Sequence, residues 1–198
     1  PSTPGPVANQ PTPTPTPIQE SEVDAAQKAW CDDLVKIAKL SRTPGGDWEA
    51  EARKFVDQKY DFSWNGKLLF RPTLAYTPNA FRTDQAGTLS YFIGGNSSYP
   101  DGDGFARGQW KECVHDNKLR SGVDGIQIYQ DLAIAMGTVT LTDCHDNKTT
   151  VDKVFVFRRQ PPSRELRLVV HMSAKSNLPP GPTPTPTPTP GPCPPEPK

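Results

Sequence analysis

The sequence predicts an α+β fold on three observations: helix-period segments come first, strand-period segments fill the remainder, and proline is confined to the two flanks. Of 24 prolines, seven fall in residues 1–17, eleven in 179–198 and six in the 161 residues between. The runs PTPTPTP at 11–17 and PTPTPTPTP at 182–190 lack a backbone donor at every second position and favour polyproline II over helix or sheet. Residues 1–20 and 179–198 therefore read as linkers that space this domain from neighbours, and 21–178 as one domain long enough to bury a core.

The elements follow in order. Ser21 with Asp24 three residues on is a capping signal, and Val23, Ala26, Trp30, Leu34 and Ile37 then recur at helical spacing, predicting a helix over about 22–40. Thr43-Pro44-Gly45-Gly46 ends it. Asp47 caps a second helix, with Trp48, Ala52, Phe55 and Val56 on one side, running to about Tyr60 before an Asn65-Gly66 turn. Trp30 and Trp48 read as packing anchors. From residue 67 the period becomes strand-like, and segments 67–73, 88–93, 105–113, 125–129, 132–141, 149–158 and 165–173 are rich in β-branched and aromatic residues. Turns are expected at 145–148 and 160–163. Helices followed by an antiparallel meander place the helices on one face of a curved sheet, a cone with a pocket at its mouth.

Composition removes several classes of function. Lysine plus arginine equal aspartate plus glutamate at 22 each, and no basic run appears, so a nucleic-acid footprint is missing. No stretch reaches the roughly 18–20 apolar residues that cross a bilayer, and no charged-then-apolar signal pattern opens the chain. Cys31, Cys113, Cys144 and Cys193 form no CxxC pair; their spacing allows disulfides without assigning one. Asn96-Ser97-Ser98 and Asn147-Lys148-Thr149 are sequons that matter only in a secretory protein.

The richest stretch is 68–110, where LLFRPT precedes GTLSYFIGGNSSYPDGDGFARGQW and crowds aromatics, hydroxyls and turn glycines together. One loop and a return separate Thr73 from Tyr91, so their hydroxyls can face one cavity, and a small polar ligand is expected.

LLFRPT at 68–73, GTLSYFIGGN at 87–96, GDGFARGQW at 102–110, LAIAMGTVTLTD at 132–143 and LRLVVHMS at 166–173 resemble, in this order, the iota-class carbonic anhydrases. That family is similar to the association domain of calcium/calmodulin-dependent kinase and has the NTF2-like cone fold. The resemblance implies a carbonic anhydrase interconverting carbon dioxide and bicarbonate through three hydroxyls, Thr73, Tyr91 and Ser173. Where the family ends its last strand with His-His-Ser-Ser, this chain has His171-Met172-Ser173-Ala174. Strand alternation puts His171 and Ser173 on one face and Met172 and Ala174 on the other, so the departures fall opposite the implied site. The resemblance also implies a homodimer through the outer face of the sheet, and by analogy a plastid of a photosynthetic organism, with a periplasmic or secreted location as the alternative.

Hydrating carbon dioxide requires an activated water beside a held electrophile, with donors where the carboxylate oxygens gain charge. Threonine, tyrosine and serine hydroxyls donate and accept, so three converging on a cavity can hold water and bicarbonate. His171 and Arg71 join them as substrate-binding candidates, Arg71 either as a positive charge for bicarbonate or as the partner of a buried carboxylate. Phe70, Phe92 and Phe105 are wall candidates that serve equally as core. His115, His145 and His171 lie in separate segments with no HxH or HxxxH pair, and Asp101, Asp103, Asp143 and Asp146 fall at turns, so no metal is expected, with manganese or zinc the alternative. The other reading is a non-catalytic NTF2-like binding or oligomerisation module; a third is an isomerase or hydrolase using His171.

Overall fold

The computed structural model describes residues 16–100, 104–119, 122–159, 164–176, 191, 193 and 194. The Pro-Thr run at 182–190, most of that at 11–17, the 160–163 turn, and Asp101 and Asp103 lie outside these residues. Helix α1 spans Glu20–Arg42 and α2 Trp48–Lys59, with Asp47 accepting from the Ala50 N–H at 3.1 Å as expected of a cap. The start of α1 differs from the sequence expectation. Gln19, in extended conformation, is the cap, and its N–H donates to the Glu22 carboxylate at 2.8 Å, so Ser21 lies inside the first turn. Just before it Ile18 is buried, and its N–H donates to the Gln130 carbonyl.

Six strands form one sheet: β1 (Leu69–Arg71), β2 (Trp110–Asp116), β3 (Ile126–Tyr129), β4 (Leu132–Asp143), β5 (Lys148–Arg159) and β6 (Leu166–Lys175). Their order is β1-β6-β5-β4-β2, with β3 pairing the other half of β4. The sheet departs from a pure meander because β1 runs parallel to β6, a pairing that a hairpin cannot make. Pro72, which has no N–H, ends β1 after three residues. The register shifts at Val156/Phe157 and at Trp110/Glu112 interrupt the β5–β6 and β2–β4 ladders, irregularities of the kind that bend and twist a sheet locally.

Two expected strands are something else. Residues 88–93 belong to helix α3 (Gln85–Ile93), although their composition favours a strand. The Asp84 carboxylate caps it by accepting from the Gly87 N–H at 2.7 Å, the Thr88 hydroxyl donates back to the Asp84 carbonyl, and Gly94 and Gly95 at positive φ stop it. Terminal chemistry and packing override the local propensity here. Likewise the first part of 105–113 is a 3₁₀ turn (Phe105–Arg107), and β2 begins only at Trp110, whose indole N–H donates to the Phe105 carbonyl at 3.0 Å. Gly108 is required there, because a Cβ would lie 2.1 Å from the Trp110 indole nitrogen.

The core lies between the helices and the concave face of the sheet. Trp30 and Leu34 of α1 and Phe55 and Val56 of α2 pack over Ala133, Ala135, Val139, Phe155, Phe157 and Leu168. Two disulfides close the structure: Cys31–Cys113 ties α1 to β2, and Cys144–Cys193 ties the β4–β5 turn to the C-terminal tail. That tail is also held by a 2.7 Å hydrogen bond between His145 Nε2 and the Gly191 carbonyl.

Candidate active site

The parallel register Phe70↔His171 and Arg71↔Met172 brings the end of β1 alongside β6, so the chain leaving Pro72 delivers Thr73 to Ser173. Thr73 Oγ1 donates to Ser173 Oγ at 2.8 Å. Arg71 secures this junction from its rim. Its Nη1 donates to the carbonyls of Pro72 at 2.8 Å, Ser173 at 3.4 Å and Thr73 at 3.5 Å, so its charge is spent on backbone rather than directed into the cavity.

Helix α3 supplies the third hydroxyl residue. Tyr91 is buried, stacked on Phe105 with ring centroids 5.3 Å apart and meeting Phe70 edge-on at 5.5 Å. Thr73, Tyr91, His171 and Ser173 line one cavity of about 260 Å³. Its other walls are mostly apolar: Trp30, Leu74, Phe92, Phe105, Trp110, Val139, Leu141, Val151 and Phe155, with Thr149 and Lys175 also lining it. Of the three phenylalanines considered as walls, Phe92 and Phe105 reach the cavity, while Phe70 lies behind Tyr91 and His171, 4.5 Å from the imidazole. Trp30 is both a core anchor and a wall.

His171 is fixed by a chain of buried hydrogen bonds. Trp30 Nε1 donates to Tyr60 Oη at 3.1 Å, and Tyr60 Oη lies 3.0 Å from His171 Nδ1. The indole can only donate, so the Tyr60 proton is free for Nδ1; the arrangement that leaves no buried hydroxyl proton unpaired is Tyr60 donating to Nδ1, with the neutral imidazole carrying its hydrogen on Nε2. Burial pushes the His171 pKa well below the usual histidine range, with help from the nearby His115 and Lys153, and burial pushes Tyr60 well above the tyrosine range. Both residues stay uncharged at neutral pH, so His171 is a hydrogen-bond donor rather than a base.

Metal ligation has little support in the donor set. Among the described residues the three histidines form no ligand cluster with one another: His115 lies against Phe155, His145 sits in the exposed β4–β5 turn, and His171 lines the cavity. Among the described residues two groups bring Cys and His together, Cys31-Cys113-His115 and Cys144-His145-Cys193, but all four sulfurs are in disulfides and offer no thiolate. Asp143 is occupied by the turn, accepting from the N–H groups of His145 and Asn147, and Asp146 pairs with Lys111 at 2.6 Å.

Sequence reasoning misses Tyr60, which ends α2 without a local signal, and Trp110, which reads in the sequence only as part of the 105–113 strand. It also misses Lys153, whose place opposite Ser173 appears only once β5 and β6 are in register.

The architecture is that of an NTF2-like cone. Its fold matches a putative calcium/calmodulin-dependent protein kinase II association domain from Xanthomonas campestris, with a TM-score of 0.51 at 16% identity over 81% of this chain and 89% of that one. A much closer likeness is to the crystal structure of the iota-carbonic anhydrase from a cyanobacterium complexed with bicarbonate: TM-score 0.75, 36% identity, 85% of this chain and 99% of that one. The metal-independent carbonic anhydrase of Nostoc sp. (strain PCC 7120 / SAG 25.82 / UTEX 2576) is 39% identical over 158 residues, 79% of this chain and 73% of its own length. The family described as metal-independent carbonic anhydrase matches residues 21–175. This chain belongs to that family. It is a carbonic anhydrase of the iota class, and the expectation of no cofactor agrees with the family's description.

Proposed function

We propose that this carbonic anhydrase interconverts carbon dioxide and bicarbonate in the cavity lined by Thr73, Tyr91 and Ser173, with those hydroxyls and not a metal orienting the reactants. The observation that carries the reading is the 2.8 Å Thr73–Ser173 hydrogen bond on the rim of a cavity whose remaining walls are mostly apolar. Carbon dioxide has no net dipole and suits the Phe92, Phe105 and Leu141 surface. The Thr73–Ser173 pair holds the attacking water, whose oxygen lone pair forms the new C–O bond while one C=O π pair moves onto oxygen. The proton lost from that water leaves along the hydroxyls toward solvent. Tyr91 and the Nε2–H of His171 donate to the oxygens that acquire charge. Arg71 acts as a positioning residue, holding the Thr73 and Ser173 backbones together, rather than as the bicarbonate contact its charge implied.

Stopped-flow hydration of carbon dioxide after exhaustive chelation, with Ser173→Ala in parallel, tests this. The expected result is activity that survives chelation and collapses in the variant. Loss on chelation with recovery on adding zinc or manganese would replace the hydroxyl site with a metal; equal activity of wild type and Ser173→Ala would remove Ser173 from the reaction. Inactivity of the wild type would favour the binding-module reading.

The outer face of the sheet supports the homodimer that the resemblance implied. Met136, Val154 and Met172 form one cross-strand rung, and Ile134, Val156 and Val170 the next, with Met136 and Met172 well exposed. For compartment, two disulfides support an oxidising environment and so the periplasmic or secreted alternative over a plastid.

A further inference from the structure

Lysine 153 is an anomaly on the concave face. It is 1% exposed, yet among the described residues no carboxylate reaches its Nζ at ion-pair distance; the amine is held instead by the side-chain carbonyls of Gln27 on α1 and Asn117 after β2, the latter at 2.6 Å. The fold builds this niche deliberately. The β4 partner of Lys153 is Gly137, where a Cβ would lie 2.0 Å from the Asp116 carbonyl, so the missing side chain is what lets Asn117 reach the amine. Two groups around it are left with unused donors. Gln27 turns its Oε1 to Lys153, leaving a buried Nε2 with no partner, and His115 has both ring nitrogens buried and unpartnered. The His115 ring and the Lys153 Nζ both lie against Phe155, 5.3 Å and 5.2 Å from its centroid. Gln27, His115 and Asn117 in turn line a groove of about 580 Å³ open to solvent, separate from the catalytic cavity.

A buried amine without a counterion, beside two side chains with unused N–H donors and held by residues that line a solvent-open groove, fits a small electrophile that becomes an anion when it reacts. We propose that Lys153 Nζ is a carbamylation site for carbon dioxide, the enzyme's own substrate, and that Gln27 Nε2–H and the ring N–H of His115 receive the carbamate oxygens. The Nζ lone pair attacks the carbon of carbon dioxide, an N–C bond forms, one C=O π pair becomes the charge on oxygen, and the proton released from nitrogen passes to water or bicarbonate. No oxidant or further reactant is needed. The amine is available because burial lowers its pKa to about 7, against the opposing pull of Asp24 on α1 and Asp116 on β2. His115 on β2 and His171 on β6 also face this region, and burial keeps both neutral, so neither adds positive charge that would compete for the carbamate. This site shares no residue with the hydroxyl cluster, and its outcome is independent of which residues hydrate carbon dioxide.

The experiment uses the wild-type chain equilibrated with ¹³C-labelled bicarbonate and carbon dioxide, trapped with a trialkyloxonium salt and read by peptide mass spectrometry. The expected result is a labelled alkyl carbamate on Lys153 that rises as the pH passes about 7. Lys28, exposed in the same groove and paired with Asp32 at 2.6 Å, should stay unmodified. Replacing Gln27 by Leu should lower the Lys153 adduct several-fold by removing a donor to the carbamate. Absence of label on Lys153 in the folded wild type, or label spread equally over Lys28 and Lys153, would overturn the proposal.

Discussion

Thr73 and Ser173 are 100 residues apart in sequence and joined hydroxyl to hydroxyl at 2.8 Å, and the parallel pairing of β1 with β6 is what makes that contact. Thr73→Val keeps the shape and removes the hydroxyl. In the proposed mechanism this leaves the attacking water without one of its two holders, and kcat/KM for carbon dioxide hydration should fall about 100-fold, the usual cost of losing one pre-organised polar contact to a transition state. Unchanged thermal stability alongside that fall would locate the loss in the chemistry; unchanged kcat/KM would remove Thr73 from it.

Tyr60→Phe takes away a hydroxyl that never touches the cavity. It leaves the Trp30 N–H and His171 Nδ1 buried without partners, at a cost of about 1–3 kcal/mol for each unsatisfied group. The expected signature is a lower midpoint in urea together with a mixed Nδ1/Nε2 tautomer population for His171 in ¹⁵N NMR, where wild type shows the Nε2–H form alone. A destabilised variant that kept the single tautomer would mean that packing, not the hydrogen bond, orients the ring.

Much of the candidate site was legible because its parts are local: LLFRPT and LSYF carry the family resemblance as short motifs, and the alternation that puts His171 and Ser173 on one face needs only a two-residue period. What the sequence hid depends on long-range pairing. Tyr91 reaches the cavity from α3, where Asp84 and the Gly94-Gly95 pair outweigh the strand preference of Thr88, Tyr91, Phe92 and Ile93. The positive charge of Arg71 was visible, but its partners are backbone carbonyls, one of them on another strand, and no side-chain pattern announces those. Lys153 reads as an ordinary strand lysine until its register with Gly137 and Ser173 is known.

The two disulfides should differ in worth. Cys31–Cys113 closes a separation of 82 residues within the core, joining α1 to β2, and its removal by Cys31→Ala with Cys113→Ala should cost about 2–5 kcal/mol. Cys144–Cys193 fastens a tail to a turn and constrains little of the packed domain. Removing it should leave the unfolding midpoint nearly unchanged while exposing the C-terminal segment to proteolysis. A larger loss from the second pair than from the first would show that the tail belongs to the cooperative unit.

Acid should unfold this protein through its buried histidines before its carboxylates. Burial, with the nearby charge of Lys153, lowers the His115 pKa from 6.5 to about 3, and burial holds His171 well below its ordinary value. Below pH 6.5, and down to about pH 3 for His115, the unfolded chain therefore binds more protons than the folded one at these positions, so stability rises with pH through that window; the histidine contribution is complete above it, and Lys153, lowered from 10.5 to about 7, carries the same trend on above pH 7. Glu22, Asp61 and Asp143 are also held below their ordinary values, from 4.5 for Glu22 and 3.8 for the two aspartates, and weaken the fold only at the acid end of the same range. Denaturant titrations at closely spaced pH values around 5.5, above the carboxylates and below the value of about 7 for Lys153, isolate the histidines. Their slope should correspond to about two protons in wild type and about one in His115→Phe, whose ring keeps the contact with Phe155. An unaltered slope in the variant would mean that His115 takes up its proton in the folded state and is not buried neutral.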